Sequence, residues 1–135
     1  MRPLIALFIW GWLATAWAAA GGSWSADSSG LQLSQQGVVV NQPPLAPLAG
    51  QVPAGARIDD VVWQISLLSP APTGLTLQLC TTRRCMALDG LSGRSLGLRG
   101  EPADSTLRVV MWVAGKGTIY PPINVVSQQV IVNYH

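Results

Sequence analysis

Two short apolar runs, Leu75-Thr-Leu-Gln-Leu79 and Met86-Ala-Leu88, alternate with polar residues and flank the segment Cys80-Thr-Thr-Arg-Arg-Cys85. Alternation with a period of two predicts a pair of strands, and the four residues Thr81–Arg84 between the cysteines predict a hairpin loop. In that register Cys80 faces Cys85, Leu79 faces Met86 and Leu77 faces Leu88. The apolar side chains then share one face, while Thr76, Gln78 and both cysteines take the other. Directly opposed residues of an antiparallel pair have Cα atoms about 4.5–5.5 Å apart, within disulfide range. One register therefore closes a Cys80–Cys85 disulfide and builds a hydrophobic face. Binding of a metal by the two thiolates is the weaker reading. Zinc takes about four ligands, and the only histidine is His135.

The same pattern continues along the chain. Asp60–Leu68 is the clearest strand, with Val61, Trp63, Ile65 and Leu67 on one face and Gln64 and Ser66 on the other. Leu107–Ala114 places Leu107, Val109, Met111 and Val113 inward. Arg108 and Trp112 then share the outer face, an arrangement that permits a cation–π contact. Gly30–Ser34 and Val38–Val40 read as strands around a Gln35-Gln36-Gly37 turn, and Arg94–Arg99 as another strand. Thr118–Tyr120, Ile123, Val125, Val130, Val132 and Tyr134 complete the alternation. Asn41–Ala56 carries four prolines and two glycines. With Leu45, Leu48 and Val52 it reads as an irregular loop packed along a sheet edge. No stretch keeps a helical period over three turns. The expected fold is all-β, an antiparallel two-sheet sandwich with one hairpin disulfide.

The amino terminus has a different pattern. Arg2 precedes an apolar run from Leu4 to Ala16, and Ala18-Ala19-Ala20 leads into Gly21-Gly22-Ser23. That order predicts a cleaved secretory signal peptide over residues 1–20, ahead of a single domain over 21–135. The run is too short to span a bilayer, and no later segment reaches the length of a membrane helix. Export to the periplasm is the expectation, with no membrane insertion of the mature chain. An oxidising compartment agrees with the paired cysteines.

Cleavage removes Arg2 and three of the six tryptophans, leaving seven basic against six acidic side chains. So small a net charge gives no electrostatic footprint for nucleic acid. A monomer is the default expectation for such a domain.

Candidate chemistry is sparse. His135 is terminal and expected to be mobile, so no internal nucleophile–histidine pair can be drawn. Adjacent residues on a strand point to opposite faces, so Asp59 and Asp60 cannot flank one bond. They read as a solvated strand entry. No catalytic residue, cofactor site or metal site is expected. The candidate partner contacts are Arg83 and Arg84 at the hairpin tip, Trp112 on an outer face, and Trp24. Trp24 reads mainly as an anchor for the chain end, with an exposed contact as the other role.

Several motifs carry a resemblance. In order they are Gly22-Ser23-Trp24, Val61-Val62-Trp63, Pro70 to Leu75, Leu79 to Cys85 and Leu88 to Gly93, closing on Val130-Ile-Val-Asn-Tyr134 and His135. Together they resemble the flagellar protein FlhE family over nearly the whole mature chain. The resemblance departs at His135, where an arginine is expected, and at Met111-Trp112, where the tryptophan is shifted by one residue. It implies a periplasmic β-sandwich without enzymatic activity that supports flagellar assembly. Its role would be to limit proton leakage through the flagellar type III export apparatus, as a plug or chaperone, with flagellar export or rod proteins as partners. The residues themselves leave two other readings open: a module binding periplasmic glycan through Trp24 and Trp112, and a pilus-type chaperone acting by strand addition.

Overall fold

The computed structural model describes residues 21–135, so the expected signal peptide lies outside the described residues. Ten strands follow in order: β1 Gly22–Ser28, β2 Leu33–Gln35, β3 Val40–Asn41, β4 Ile58–Leu67, β5 Leu75–Cys80, β6 Cys85–Leu88, β7 Ser92–Ser95, β8 Arg108–Val113, β9 Thr118–Ile123 and β10 Val125–Tyr134. They form two four-stranded sheets, β1-β10-β4-β7 and β3-β8-β5-β6, and a two-stranded ribbon, β2-β9. All pairings are antiparallel.

The alternation seen in the sequence becomes the core. Trp24 faces Val132, Val132 faces Val61, and Val130 faces Trp63 on the inner side of the first sheet. Leu77 lies between Leu88 and Met111, and Leu79 between Met86 and Val109, on the inner side of the second. These residues belong to one hydrophobic cluster. At roughly 1.5–3 kcal/mol for each fully buried large aliphatic or aromatic side chain, their shared burial is the main force holding the sheets together. Gly93 pairs with Trp63, and a Cβ at that position would come within 2.8 Å of the indole ring. Glycine there lets β7 lie against the ring.

The proline-rich segment packs along the edge of β8 as the composition suggests. Gln42 donates its amide to Val109 O at 2.8 Å, and Leu45 and Leu107 exchange both main-chain hydrogen bonds. Leu45 is buried, whereas Leu48 projects into solvent. The Gln42 side chain is fully buried and imitates a strand partner. Its Oε1 accepts from Leu31 N at 2.5 Å and its Nε2 donates to Leu31 O at 3.1 Å.

Some expected strands shift, and the Trp24 segment and the Pro121-Pro122 pair lie in strands that the alternation does not mark. The Trp24 segment forms a seven-residue edge strand, because main-chain pairing with β10 overrides its small polar composition. Only Val40 of Val38–Val40 joins a strand. The Arg94–Arg99 strand moves back to Ser92–Ser95, and the following residues turn, with Arg99 N bonded to Leu96 O. Pro121 and Pro122 lie inside β9, tolerated because β9 pairs only with the short β2.

Candidate interaction surfaces

The cystine hairpin adopts the expected register, with Cys80 opposite Cys85, Leu79 opposite Met86 and Leu77 opposite Leu88. Cys80 and Cys85 form a disulfide with a Cα separation of 4.0 Å. Thr81 organises the tip. Its amide donates to Arg84 O at 2.8 Å, and its hydroxyl oxygen accepts the amides of Arg83 and Arg84 at 3.1 and 3.0 Å. The same hydroxyl lies 3.1 Å from Glu101 Oε1, to which it donates. Glu101 is only 4% exposed, and its carbonyl accepts Ile58 N at 2.9 Å. The tip of one sheet is thereby tied to the start of β4 in the other. Arg83 and Arg84 are both exposed, and Arg84 Nη1 reaches Arg99 O at 3.5 Å.

Asp60 is buried, which corrects the solvated strand entry. Its Oδ2 accepts from Arg94 Nε at 3.1 Å and Nη2 at 2.5 Å, and its Oδ1 accepts from Asn133 Nδ2 at 2.6 Å. The Asn133 hydrogen bond, then the Arg94 contact, holds the Asp60 carboxyl below its usual value, against the opposing effect of burial. Asp59 has a different partner, since its Oδ1 meets His135 Nδ1 at 2.5 Å. His135, expected to be mobile, is tied through its main chain as well. Its main chain exchanges two hydrogen bonds with Arg57, at 2.8 and 3.1 Å. The two neighbouring carboxylates thus serve separate structural ties.

Trp24 is an anchor. It is 2% exposed and donates Nε1–H to Ala103 O at 2.7 Å, so it is not on the surface as a partner contact. Trp112 is half-buried on the outer face of β8, opposite Thr76. Arg108 shares that face opposite Cys80, with Val110 between them. Four residues of strand separate their Cα atoms by about 13 Å. Among the described residues the most exposed aromatic is Tyr120, which alternation alone does not single out. Tyr120 is 91% exposed, and beside it a small cavity of about 100 Å³ is lined by Pro70, Pro72, Pro121 and Pro122. Its signal in the sequence was an aromatic residue flanked by prolines on an edge strand.

Among the described residues, no three of histidine, cysteine, aspartate and glutamate gather as metal ligands would. No helix among them is long and apolar enough to cross a membrane. Fold and surface define a class: a small antiparallel β-sandwich clasped by a cystine, with a rigid basic hairpin tip at one end.

The family model for "Flagellar protein FlhE" matches residues 30–135, and the chain belongs to that family. Flagellar protein FlhE of Yersinia enterocolitica is 44% identical, over 98% of this chain and 94% of the relative. That of Escherichia coli (strain K12) is 37% identical over 99% of both. The crystal structure of FlhE superposes with a TM-score of 0.80 at 38% identity, covering 87% of this chain and 99% of the other. The family ties this chain to the flagellum as an accessory protein.

Proposed function

We propose that the chain is exported to the periplasm, where it acts without catalysis to limit proton leakage through the flagellar type III export apparatus. Its partners in this reading are flagellar export or rod proteins, and the chain acts as a monomer. The observation that carries the proposal is the cystine-clasped hairpin in a chain of the flagellar family. A cystine persists in an oxidising compartment, and the leader pattern of residues 1–20 supplies a route there. A rigid tip also suits binding, because little conformational entropy is left to lose on contact.

The glycan reading loses its main support, since Trp24 is buried under the chain end. The flagellar reading is tested by deleting the gene and following motility and cytoplasmic pH, with the export gate present and absent. Acidification that requires the gate is the expected result. Acidification that persists without the gate overturns the proton-sealing role.

A further inference from the structure

The arginines of this chain are not spread over the sandwich. Residues 21–135 contain six arginines and one lysine, and topology sends the six to one end. Arg83 and Arg84 form the hairpin tip, and Arg108 begins β8 opposite Cys80. Arg99 lies in the turn whose next residue, Gly100, donates to Ile58 O. Arg57 precedes β4 and holds Gly100 O through Nη1 at 3.5 Å. Arg94 is on β7 opposite Val62. Lys116 is at the far end of the sandwich, in the turn beyond the last residue of β8.

The carboxylates at the arginine end are largely engaged. Asp60 binds Arg94 and Asn133, Glu101 is buried against Thr81, and Asp59 contacts His135. Asp104 is the other exposed acid there. Among the described residues, Arg94 is the arginine with a carboxylate in salt-bridge range. Arg57, Arg83, Arg84, Arg99 and Arg108 are exposed without one. A modest net charge over the whole chain thus conceals a concentrated positive surface.

Beside these arginines the outer face of the second sheet is concave. A trough of about 570 Å³ there is lined by the disulfide, Val110, Gln78, Thr81, Thr106 and Arg108. Its rim carries hydrogen-bond acceptors as well as donors. Main-chain amides of a peptide could use the acceptors, whereas lipid phosphates offer only further acceptors. Guanidinium groups bind planar carboxylates in a bidentate fashion.

We propose that the arginine end and its trough form the docking surface for a glutamate- or aspartate-rich segment of a protein partner. The proposal names the chemistry of the contact that the accessory role requires, and it rests on that role only for the partner being a protein. Five exposed arginines at this end of the sandwich, one of them, Arg108, lining the trough, should also speed encounter with an acidic segment in a salt-dependent way.

The test uses the exported chain after leader removal and a fluorescein-labelled octaglutamate peptide as probe, followed by anisotropy and amide chemical shifts. Binding that falls with added salt and shifts the amides of Thr81–Cys85, Arg99 and Arg108 is the expected result. The Arg84→Ala, Arg99→Ala, Arg108→Ala triple variant should weaken binding about ten-fold or more, while Lys116→Ala leaves it unchanged. An unaltered thermal midpoint in the triple variant verifies its fold, and a single Arg108→Ala variant repeats the comparison if it does not.

Absence of peptide binding, equal weakening by Lys116→Ala, or shifts clustered at the Tyr120 end overturns the proposal. So does binding to phosphatidylglycerol vesicles without binding to the peptide. Such a result leaves the gate-dependent pH test untouched, so the two failures are distinguishable.

Discussion

Replacing Trp24 separates an anchor from a contact residue. The indole is 2% exposed and its N–H reaches Ala103 O at 2.7 Å, from an edge strand to the turn after Glu101. Trp24→Phe keeps an aromatic ring but removes that donor. The residue bearing the acceptor, Ala103, is fully buried, and its amide is already committed to Ala56 O at 2.9 Å. A buried acceptor left unpaired costs about 1–3 kcal/mol, and the smaller ring adds a cavity term of order 1 kcal/mol. The expected loss is about 2–4 kcal/mol, a large part of the roughly 5–15 kcal/mol typical of a domain. Urea unfolding followed by circular dichroism reads it, with Ser25→Ala on the outward face of the same strand as control. Amide exchange should accelerate first in Gly22–Ser28, since the lost bond is what ties β1 to that turn. A Trp24→Phe variant within about 0.5 kcal/mol of the parent, the range of ordinary surface changes, would refute the anchoring argument.

Three further predictions concern the frame. Replacing both Cys80 and Cys85 by alanine should lower stability by about 2 kcal/mol in the chain-entropy model for so short a loop, measured by urea unfolding without reductant; an unchanged midpoint would show that Thr81 alone orders the tip. Gly93→Ala puts a methyl group 2.8 Å from the buried Trp63 ring, and overpacking of that kind costs about 1–3 kcal/mol, readable as a lowered thermal midpoint. Because the folded state holds the Asp60 carboxyl below its ordinary value, its contribution to stability is present above that ordinary value. It is lost as pH falls through the lower folded value. Asp60→Asn should therefore flatten the acid limb of a stability–pH profile, and an unchanged limb would assign the acid sensitivity to another group.

The elements legible in the sequence were those whose faces are set by a period of two. The cystine hairpin, the inner faces of β4 and β8, and the close at Tyr134 all follow from alternation, which needs only local information. Elements that depend on remote partners were not legible. β1 has one large apolar residue in seven, and its strand state comes from β10, a hundred or more positions away. Asp60 is buried because Arg94 and Asn133 meet it from 34 and 73 residues along the chain. His135 is held by Arg57 and Asp59, which no terminal pattern announces. Of the candidate surface, the pair Arg83-Arg84 was visible as a local run. Its extension was not, since Arg108 arrives with the pairing of β5 and β8, and Arg57 and Arg99 only when the two sheets are stacked. Trp24 and Tyr120 show the same limit from the other side, because a single aromatic carries no period to say which way it faces.

Complementation tests most directly whether this protein acts outside the cytoplasmic membrane on the flagellar export system. A deletion strain receives residues 21–135 either behind the native leader or as a leaderless cytoplasmic form, matched for abundance, and its cytoplasmic pH and motility are followed. Restoration by the exported form alone is the predicted result. Equal rescue by the leaderless form would contradict it.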